Sequence, residues 1–324
     1  MRAIVVRDFG GRPEPGEVPT PEAGPGQLRI ALEAAGVNPY DQKLIEGALK
    51  GQVPYDFPFV PGLDGAGTIS QIGAGVDGYE IGERVVGKFF VPPLGHGTFA
   101  EFIVVPPDTA IAKVPDEITA IQAAALPTAG ITALDLVNAS GLRAGQTALV
   151  VGASGGVGSY LVQLAALTGA EVIATARPDD TDRMIRLGAT EVVNYGRVPV
   201  TDSPTRPEDT QLSIADSVRM TRAQIDVLFD LVSPPPGFAE NLTLVRDGGG
   251  AFSTVGSAVE ADLQTRGITG GNFVSSGGAA ELRDLLRKVG NGDLVVPLDS
   301  TPPLDGAAAA LGARGARGKT VLVI

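Results

Sequence analysis

Residues 147 to 158 read Thr-Ala-Leu-Val-Val-Gly-Ala-Ser-Gly-Gly-Val-Gly, and this stretch decides the fold. The apolar run up to Val151 is typical of a buried strand, and a helical pattern extends from about Val157 to Leu167. A second strand is expected over residues 171–174. This order predicts a βαβ unit with a glycine-rich turn at its first strand-to-helix corner.

The glycine-rich turn matches the dinucleotide-binding fingerprint. Ala153, Gly155 and Gly158 occupy its three small-residue positions, which let the backbone approach a pyrophosphate at the positive N-terminus of the helix. The pattern is specific because strand, turn, helix and strand follow one another at suitable lengths. We therefore expect the corner to bind a cofactor through Ala153, Ser154, Gly155, Gly156, Val157 and Gly158.

Two other interpretations of this region are disfavoured. Gly152–Gly156 also fits the G-x-S-x-G motif of serine hydrolases, but that fold needs a histidine after the serine, and the single histidine, His96, precedes it. Residues 144–170 carry no charge and are long enough to span a membrane. Clustered glycines and Gln163 favour a buried strand and a packed helix instead.

Composition sets the broad class of protein. A chain of 324 residues is expected to form two domains. The net charge of −12 argues against a nucleic-acid partner, because phosphate binding needs a basic surface. The absence of cysteine excludes disulfides and thiolate metal sites, and the charged N-terminus disfavours a signal peptide. A soluble, cytoplasmic protein without membrane attachment is expected.

The organisation along the chain predicts an α/β protein. The first 115 or so residues contain short apolar runs between Pro- and Gly-containing turns and should be rich in β-strands. Helices are expected over 118–125, 133–139 and 279–289, and further strands over 192–195, 226–232, 250–255 and 320–324. Together with the βαβ unit, these predict a doubly wound parallel sheet beside a β-rich domain. The polar, Pro-rich residues 196–215 are interpreted as a surface excursion.

Several motifs occur in one order along nearly the whole chain, namely Ala35–Asp41, Pro61–Gly67, Gly82–Val86, Gly97–Glu101, Ala123–Pro127, Gly130–Thr132, the fingerprint and Gly318–Val321. With them, the chain resembles the zinc-free, quinone-oxidoreductase-like (zeta-crystallin-like) branch of the medium-chain dehydrogenase/reductase superfamily. The resemblance implies a GroES-like catalytic domain over 1–122 and 263–324, a Rossmann nucleotide-binding domain over 123–262, and a homodimer.

The resemblance also raises the question of zinc. Zinc-dependent relatives bind their active-site metal through a cysteine, a His-Glu pair and a further Cys or His. Here the matching Gly-His-Glu segment reads Gly62-Leu63-Asp64, and leucine cannot bind a metal. His96 stands alone in a Gly-rich loop and is interpreted as a polar loop residue. A metal-free enzyme is expected.

The end of the second strand of the βαβ unit predicts the cofactor. An acidic residue about 20 residues past the fingerprint would bind the 2′-hydroxyl of NAD, but the chain reads Thr175-Ala176-Arg177 there, with no acid until Asp179. Arg177, and less directly Arg183, would pair with a 2′-phosphate. By the resemblance, Tyr195 contacts the same phosphate, with a packing role as the alternative. NADPH is therefore favoured over NADH.

The resemblance implies further cofactor-binding residues, namely Thr132, Val255, Gly256, Phe273 and Lys319. Lys319 would reach the pyrophosphate, and a solvated lysine is the equal alternative. Core packing explains Val255 and Phe273 about as well as a nicotinamide contact does.

The segment Gly36–Asp41 matches the part of the family that lines the active site. Asn38 is expected to position the substrate or the nicotinamide ribose, with a turn-forming role as the alternative. Lys43 stands where many relatives have a tyrosine, and a tyrosine, Lys43 or water would supply the proton. Tyr55 is a further candidate donor, because a phenol is protonated at neutral pH. The expected catalytic set is Asn38, Tyr40, Asp41 and Lys43.

These features predict an NADPH-dependent reductase of quinones or α,β-unsaturated ketones. Without a Lewis acid, oxidation of a plain alcohol is difficult, whereas a conjugated carbonyl spreads the developing charge. An enoyl-thioester or polyketide-tailoring reductase is the first alternative, although its usual tyrosine is absent from Gly47–Gly51. The second alternative is an NADPH-binding protein with vestigial catalysis.

Overall fold

The computed structural model describes residues 1–194, 213–313 and 315–324, so Tyr195 and most of the predicted surface excursion lie outside the described residues. The chain divides into a catalytic unit, Met1–Ile131 with Gly277–Ile324, and a nucleotide unit, Thr132–Ser276. Both boundaries fall later in the chain than the expected 122 and 262. The second boundary lies beyond residue 262 because residues 269–272 form a strand of the nucleotide-unit sheet.

The strands are β1 (Arg2–Val5), β2 (Glu14–Glu17), β3 (Leu28–Gly36), β4 (Tyr55–Val60), β5 (Asp64–Ile72), β6 (Arg84–Lys88), β7 (Leu94–His96), β8 (Phe102–Val105), β9 (Ala110–Lys113), β10 (Thr147–Val151), β11 (Glu171–Ala176), β12 (Glu191–Asn194), β13 (Ile225–Asp230), β14 (Val245–Ser253), β15 (Thr269–Asn272), β16 (Leu298–Ser300) and β17 (Lys319–Val323). The α-helices are α1 (Pro39–Ile45), α2 (Ala120–Ala124), α3 (Pro127–Ser140), α4 (Gly156–Ala166), α5 (Thr181–Arg186), α6 (Ile214–Arg219), α7 (Pro235–Leu242), α8 (Glu260–Gln264), α9 (Ala279–Gly290) and α10 (Ala307–Gly312). Short 3-10 helices cover Pro178–Asp180 and Leu304–Gly306.

The main sheet of the catalytic unit has the order β16-β17-β3-β5-β6-β9, with β8 also paired to β3. Strand β3 alternates as an antiparallel strand with one buried face should: Leu28, Ile30 and Leu32 are buried, and the residues between them are more exposed. The last strand, β17, pairs antiparallel with β3 and places Val321 opposite Gly36. Lys319, near the end of the chain, is thereby brought beside the segment that follows β3.

The nucleotide unit contains a parallel sheet with the order β12-β11-β10-β13-β14-β15 among the described strands. Counted along the chain from β10, this is the order 3-2-1-4-5-6 of a Rossmann sheet. Strand β10 is buried throughout, as a central parallel strand requires. The predicted doubly wound sheet is confirmed, and its strand order reverses between β10 and β13, the point where ligands bind in such sheets.

The uncharged residues 144–170 form β10, α4 and their adjoining turns. Across the described ranges, no helix combines the length and the apolar character that a membrane span requires.

Candidate active site

The turn between β10 and α4 is held in place by two glycines. Gly152 has a φ of 85°, in the left-handed region that favours glycine. A Cβ on Gly158 would lie 2.3 Å from the carbonyl oxygen of Gly152 and 2.6 Å from the Cα of Ala153. Because real Cβ contacts are never this short, the packing of α4 against the turn requires glycine at position 158.

Gly155 differs from both of these glycines. Its φ of −75° suits any residue, and a Cβ there would meet only the Gly152 carbonyl oxygen, at 3.5 Å. Gly155 is the N-cap of α4, whose first N–H groups lack intrahelical partners. Beside it, the hydroxyl of Ser154 is buried with no hydrogen-bond partner among the described residues. The open space, the helix N-terminus and the unpaired hydroxyl fit a pyrophosphate.

Arg183, a candidate for the 2′-phosphate, is engaged with protein groups. Its Nε and Nη2 donate to the two carboxylate oxygens of Asp180, at 2.7 and 2.8 Å. Nη2 also donates to the carbonyl of Ser154 at 2.9 Å, and Nη1 donates to the hydroxyl of Ser159 at 3.2 Å. Asp180 is 3% exposed. Sequence reasoning missed Asp180 and Ser159, although the spacing of three between Asp180 and Arg183 signals a helical ion pair.

The three residues at the end of β11 have different environments. Thr175 is buried, and its hydroxyl accepts a hydrogen bond from the N–H of Gly152 at 3.0 Å. Ala176 is also fully buried. Arg177 is exposed, and no hydrogen bond or ion pair of its side chain is found within the described residues. Thr175 therefore supports the turn, while Arg177 is the accessible cation at this strand end.

The remaining predicted cofactor positions follow the neighbouring strands. In the parallel register Val151, Asp230, Ser253 and Asn272 lie level with one another, so the ends of β10, β13, β14 and β15 share one edge of the sheet. Val255, Gly256 and Phe273 follow β14 and β15 at that same edge. Val255 is 45% exposed, and the Phe273 ring contacts Phe252 edge-on at 6.1 Å. Val157 is half-buried at the start of α4, and Thr132 is half-buried in α3.

In the catalytic unit, Lys319 belongs to a buried polar network. The side chain is 3% exposed, so the alternative of a solvated lysine is wrong. Its Nζ donates to the carbonyl of Val37 at 2.8 Å and to Oδ1 of Asn38 at 2.6 Å. The Nδ2 of Asn38 donates to Oδ2 of Asp64 at 2.9 Å, and that oxygen lies 3.9 Å from the lysine nitrogen. Both ends of the Asn38 amide are thus engaged in the interior.

Asp64 is the acidic centre of this network. It accepts hydrogen bonds from the backbone N–H of Thr128 at 3.1 Å and from its hydroxyl at 2.7 Å, besides the one from Asn38. Sequence reasoning missed Asp64 and Thr128 as site residues. The signal was present, because a carboxylate and a lysine that each stand beside apolar, buried strand residues need a partner of opposite charge.

Asp41 is fully buried in the first turn of α1. Its Oδ2 accepts a hydrogen bond from the N–H of Asn38 at 2.7 Å. Its Oδ1 is buried and has no hydrogen-bond partner within hydrogen-bonding geometry among the described residues. Burial, and then the charge of Asp64, raise the pKa of Asp41 to about 7, although the Asn38 N–H and Lys319 act in the opposite direction. Burial also lowers the pKa of Lys319. Asp41 therefore holds a proton up to near-neutral pH.

The outer face of α1 carries Tyr40 and Lys43. Residues three apart lie on one face of a helix, and both are exposed, whereas Asp41, Leu44 and Ile45 face the interior. Partial burial, and then the neighbouring Tyr55, raise the pKa of Tyr40 above its ordinary value. The hydroxyl of Tyr55 is buried and has no hydrogen-bond partner among the described residues. Tyr40 is consequently a protonated phenol at neutral pH.

The structure thus separates the predicted catalytic residues into two groups: Asn38 and Asp41 lie inside the network, and Tyr40 and Lys43 lie at the surface. His96 is exposed and contacts Asp56 at 3.1 Å. In the described part of the chain, no three His, Cys, Asp or Glu residues converge as metal ligands would.

Comparison with known proteins agrees with this architecture. Residues 24–116 match the alcohol dehydrogenase GroES-like domain, and residues 156–280 match the zinc-binding dehydrogenase family. The quinone oxidoreductase of Mus musculus is 32% identical over 255 residues, which cover 77% of this chain and 71% of the mouse protein.

A chloroplast envelope quinone oxidoreductase homolog of Arabidopsis thaliana is 39% identical over 204 residues, and the match spans 60% of this chain but only 61% of the length of that relative. The structure of the quinone oxidoreductase from Coxiella burnetii superposes with a TM-score of 0.85 at 26% identity, covering 100% of this chain and 99% of that one. The GroES-like domain, the Rossmann sheet and these relatives together show that the chain belongs to the quinone-oxidoreductase-like branch of the medium-chain dehydrogenase/reductase superfamily.

Proposed function

We propose that the protein is an oxidoreductase that uses NADPH, without a metal, to reduce quinones or α,β-unsaturated ketones. The observation that carries the proposal is the open space at Gly155, at the N-terminus of α4, in a turn where Gly152 and Gly158 are required by the protein itself. The kinship with quinone oxidoreductases supports the substrate class.

The cofactor is bound by the nucleotide unit. The N–H groups at the start of α4 and the Ser154 hydroxyl bind the pyrophosphate, and the exposed Arg177 pairs with the 2′-phosphate through its planar guanidinium. Val255, Gly256 and Phe273 contact the nicotinamide end. When bound, NADPH supplies the hydride, and the protein supplies orientation.

The residues of the catalytic unit determine how the proton is delivered. Tyr40 is accessible and protonated, and Lys43 stands on the same helix face, so we assign the proton transfer to this face of α1. Asn38 and Asp41 position that helix through the buried network on its inner face. Leu63 occupies the position of the histidine ligand of zinc-dependent relatives, and this favours substrates whose own conjugation stabilises the hydride adduct.

We also propose a homodimer. Strand β15 is the last strand at one edge of the described sheet, and three of its four residues are exposed, so a second copy of the chain could pair with it. A cytoplasmic location stays a prediction.

Steady-state assays on zinc-free and chelator-treated protein test the proposal. We expect 1,4-naphthoquinone and a simple enone to be reduced, NADPH to be preferred over NADH, and saturated alcohols to be poor substrates. Activity on enoyl-CoA but not on quinones would favour the enoyl-thioester alternative. Stoichiometric zinc that a chelator removes together with the activity would overturn the metal-free mechanism.

A further inference from the structure

We propose that Arg183 is a positioning residue that fixes the pyrophosphate turn for either nicotinamide dinucleotide, and that it does not select between them. The inference rests on the proposed function, because it concerns the same nucleotide site. The inference assigns different roles to the two arginines. Arg183 orders the turn between β10 and α4 through contacts inside the protein, and Arg177 recognises the 2′-phosphate.

The contacts of Arg183 join two segments of the nucleotide unit. On one side the guanidinium forms a two-point ion pair with Asp180, in the 3-10 turn that follows β11. On the other side it donates to the carbonyl of Ser154 in the fingerprint turn and to the hydroxyl of Ser159 in α4. One side chain therefore links the turn after β11 to the turn after β10.

These contacts set the direction of the turn amides. The Ser159 hydroxyl donates to the carbonyls of Ala153 and Ser154, at 3.3 and 3.2 Å, so the Ser154 carbonyl faces both Ser159 and Arg183. Because a trans peptide is planar, fixing a carbonyl also fixes the N–H of the next residue. Here that N–H belongs to Gly155, and it donates to the carbonyl of Gly152 at 3.2 Å. Arg183 thereby helps to close the turn from which α4 begins, and so orders the backbone at the proposed pyrophosphate site.

The charge balance explains why Arg183 would not discriminate between cofactors. Its partner Asp180 is 3% exposed and offsets its positive charge within the protein. A guanidinium already paired in this way has little attraction left for a 2′-phosphate. Arg177 is exposed and lacks a carboxylate partner within the described ranges, so the added phosphate of NADPH meets Arg177 instead.

Dissociation constants of NADH and NADPH, measured by fluorescence titration, test this division. Arg183→Met should weaken both nucleotides by about tenfold and leave their ratio unchanged, because it removes ordering common to both. Arg177→Met should weaken NADPH alone. Arg186→Met, on the exposed face of the same helix as Arg183, is the matched control and should change neither constant.

Arg183→Met also removes the two-point ion pair of the buried Asp180, which lowers stability. The double variant Asp180→Leu/Arg183→Met removes both charges and should recover the melting temperature while both affinities stay low. Ser159→Ala, which keeps the ion pair, should weaken both nucleotides by a smaller, equal factor.

Wild-type affinities in the folded double variant would overturn this inference and leave the proposed function unaffected. A loss confined to NADPH in Arg183→Met would also overturn it and make Arg183 a phosphate ligand. A wild-type protein that binds neither nucleotide would overturn the proposed function and the inference with it.

Discussion

At Gly158 an added Cβ would lie 2.3 Å from the carbonyl oxygen of Gly152, whereas at Gly155 it would lie 3.5 Å from that same oxygen. The first distance requires glycine for the packing of α4, and the second leaves ordinary van der Waals space. Conformation does not explain Gly155 either, since its φ is −75°. Neither packing nor conformation thus requires glycine here, and in the proposed function its small size leaves room for the pyrophosphate.

Gly155→Val should separate these two roles. We expect a folded protein with a melting temperature close to that of the wild type and nucleotide binding weakened by at least about tenfold, because the side chain fills the approach to the phosphate. Gly158→Ala should lower the melting temperature instead. Unchanged NADPH titration in folded Gly155→Val would show that the turn does not bind the pyrophosphate.

Arg177 determines the cofactor preference in the proposed function. Arg177→Glu replaces a charge-assisted contact, worth about 1.5–3 kcal/mol, with repulsion toward the 2′-phosphate. The ratio of kcat/KM for NADPH to that for NADH should fall by about tenfold or more. A wild-type enzyme that already prefers NADH would contradict the role assigned to the end of β11.

At the scale of elements, helix α1 presents two different faces. Asp41, Leu44 and Ile45 are buried, and Tyr40 and Lys43 face outward. Because the inner face is anchored by the Asn38–Asp41 contacts, the outer face has a defined orientation. The chemistry assigned to the outer face therefore depends on packing at the inner one.

Tyr40→Phe tests the proton transfer from this helix. It removes the phenol hydroxyl and keeps the ring, so kcat for naphthoquinone should fall by about tenfold or more while the NADPH dissociation constant is unchanged. Tyr79→Phe, in another part of the catalytic unit, is the control. If Tyr40→Phe retains full activity and Lys43→Met does not, the donor is the lysine.

Strand β17 is joined to the rest of its unit by a buried charge as well as by its ladder with β3. Lys319→Met would leave Asp64 and Asp41 without their cation. Loss of one partner of a buried ion pair costs about 3–5 kcal/mol, and we expect a correspondingly lower urea midpoint.

Lys288→Met is the control for this prediction. Lys288 pairs with Asp284 at 3.6 Å on α9, where both side chains are partly exposed, and the loss of a solvent-accessible pair costs about 0–1 kcal/mol. Equal effects of the two substitutions would contradict a stabilising role for the network around Lys319.

At the scale of the whole molecule, the buried network makes stability depend on pH. The pKa of Asp41 is about 7 in the folded chain, above the unfolded value of about 3.9, so between these values the folded state binds the proton more strongly. The contribution of this group is complete below about pH 4 and is lost as the pH rises through about 7. The carboxylate of Asp64 and the amine of Lys319 are the charges that face it.

Asp41→Asn should remove this dependence. The melting temperature of the variant, relative to that of the wild type, should be higher at pH 8 than at pH 5, because only the wild type must bury a carboxylate at the higher pH. Other titrating groups cancel in this difference. A difference that is independent of pH would show that Asp41 does not titrate in this range, and would contradict a pKa of about 7.

The sequence by itself determined the βαβ unit, the doubly wound sheet, the fingerprint turn and the family. These depend on hydrophobic periodicity and on glycine spacing, which are local along the chain. The strand over 171–176 and the helix over 156–166 lie close to their expected positions for that reason. The sequence pattern did not show that Gly155 has space for a side chain and Gly158 has none, since the two glycines look equivalent in the fingerprint.

Only the tertiary structure decided which charged and polar groups are accessible. Lys319 meets Asn38 across 281 residues of sequence, and Arg183 is engaged by Asp180 and the Ser154 carbonyl instead of being open to a phosphate. A buried charge must be paired, but the partner is chosen by how strands and helices pack, and no local pattern records that choice. The division of the predicted catalytic residues between an interior network and an exposed helix face has the same origin.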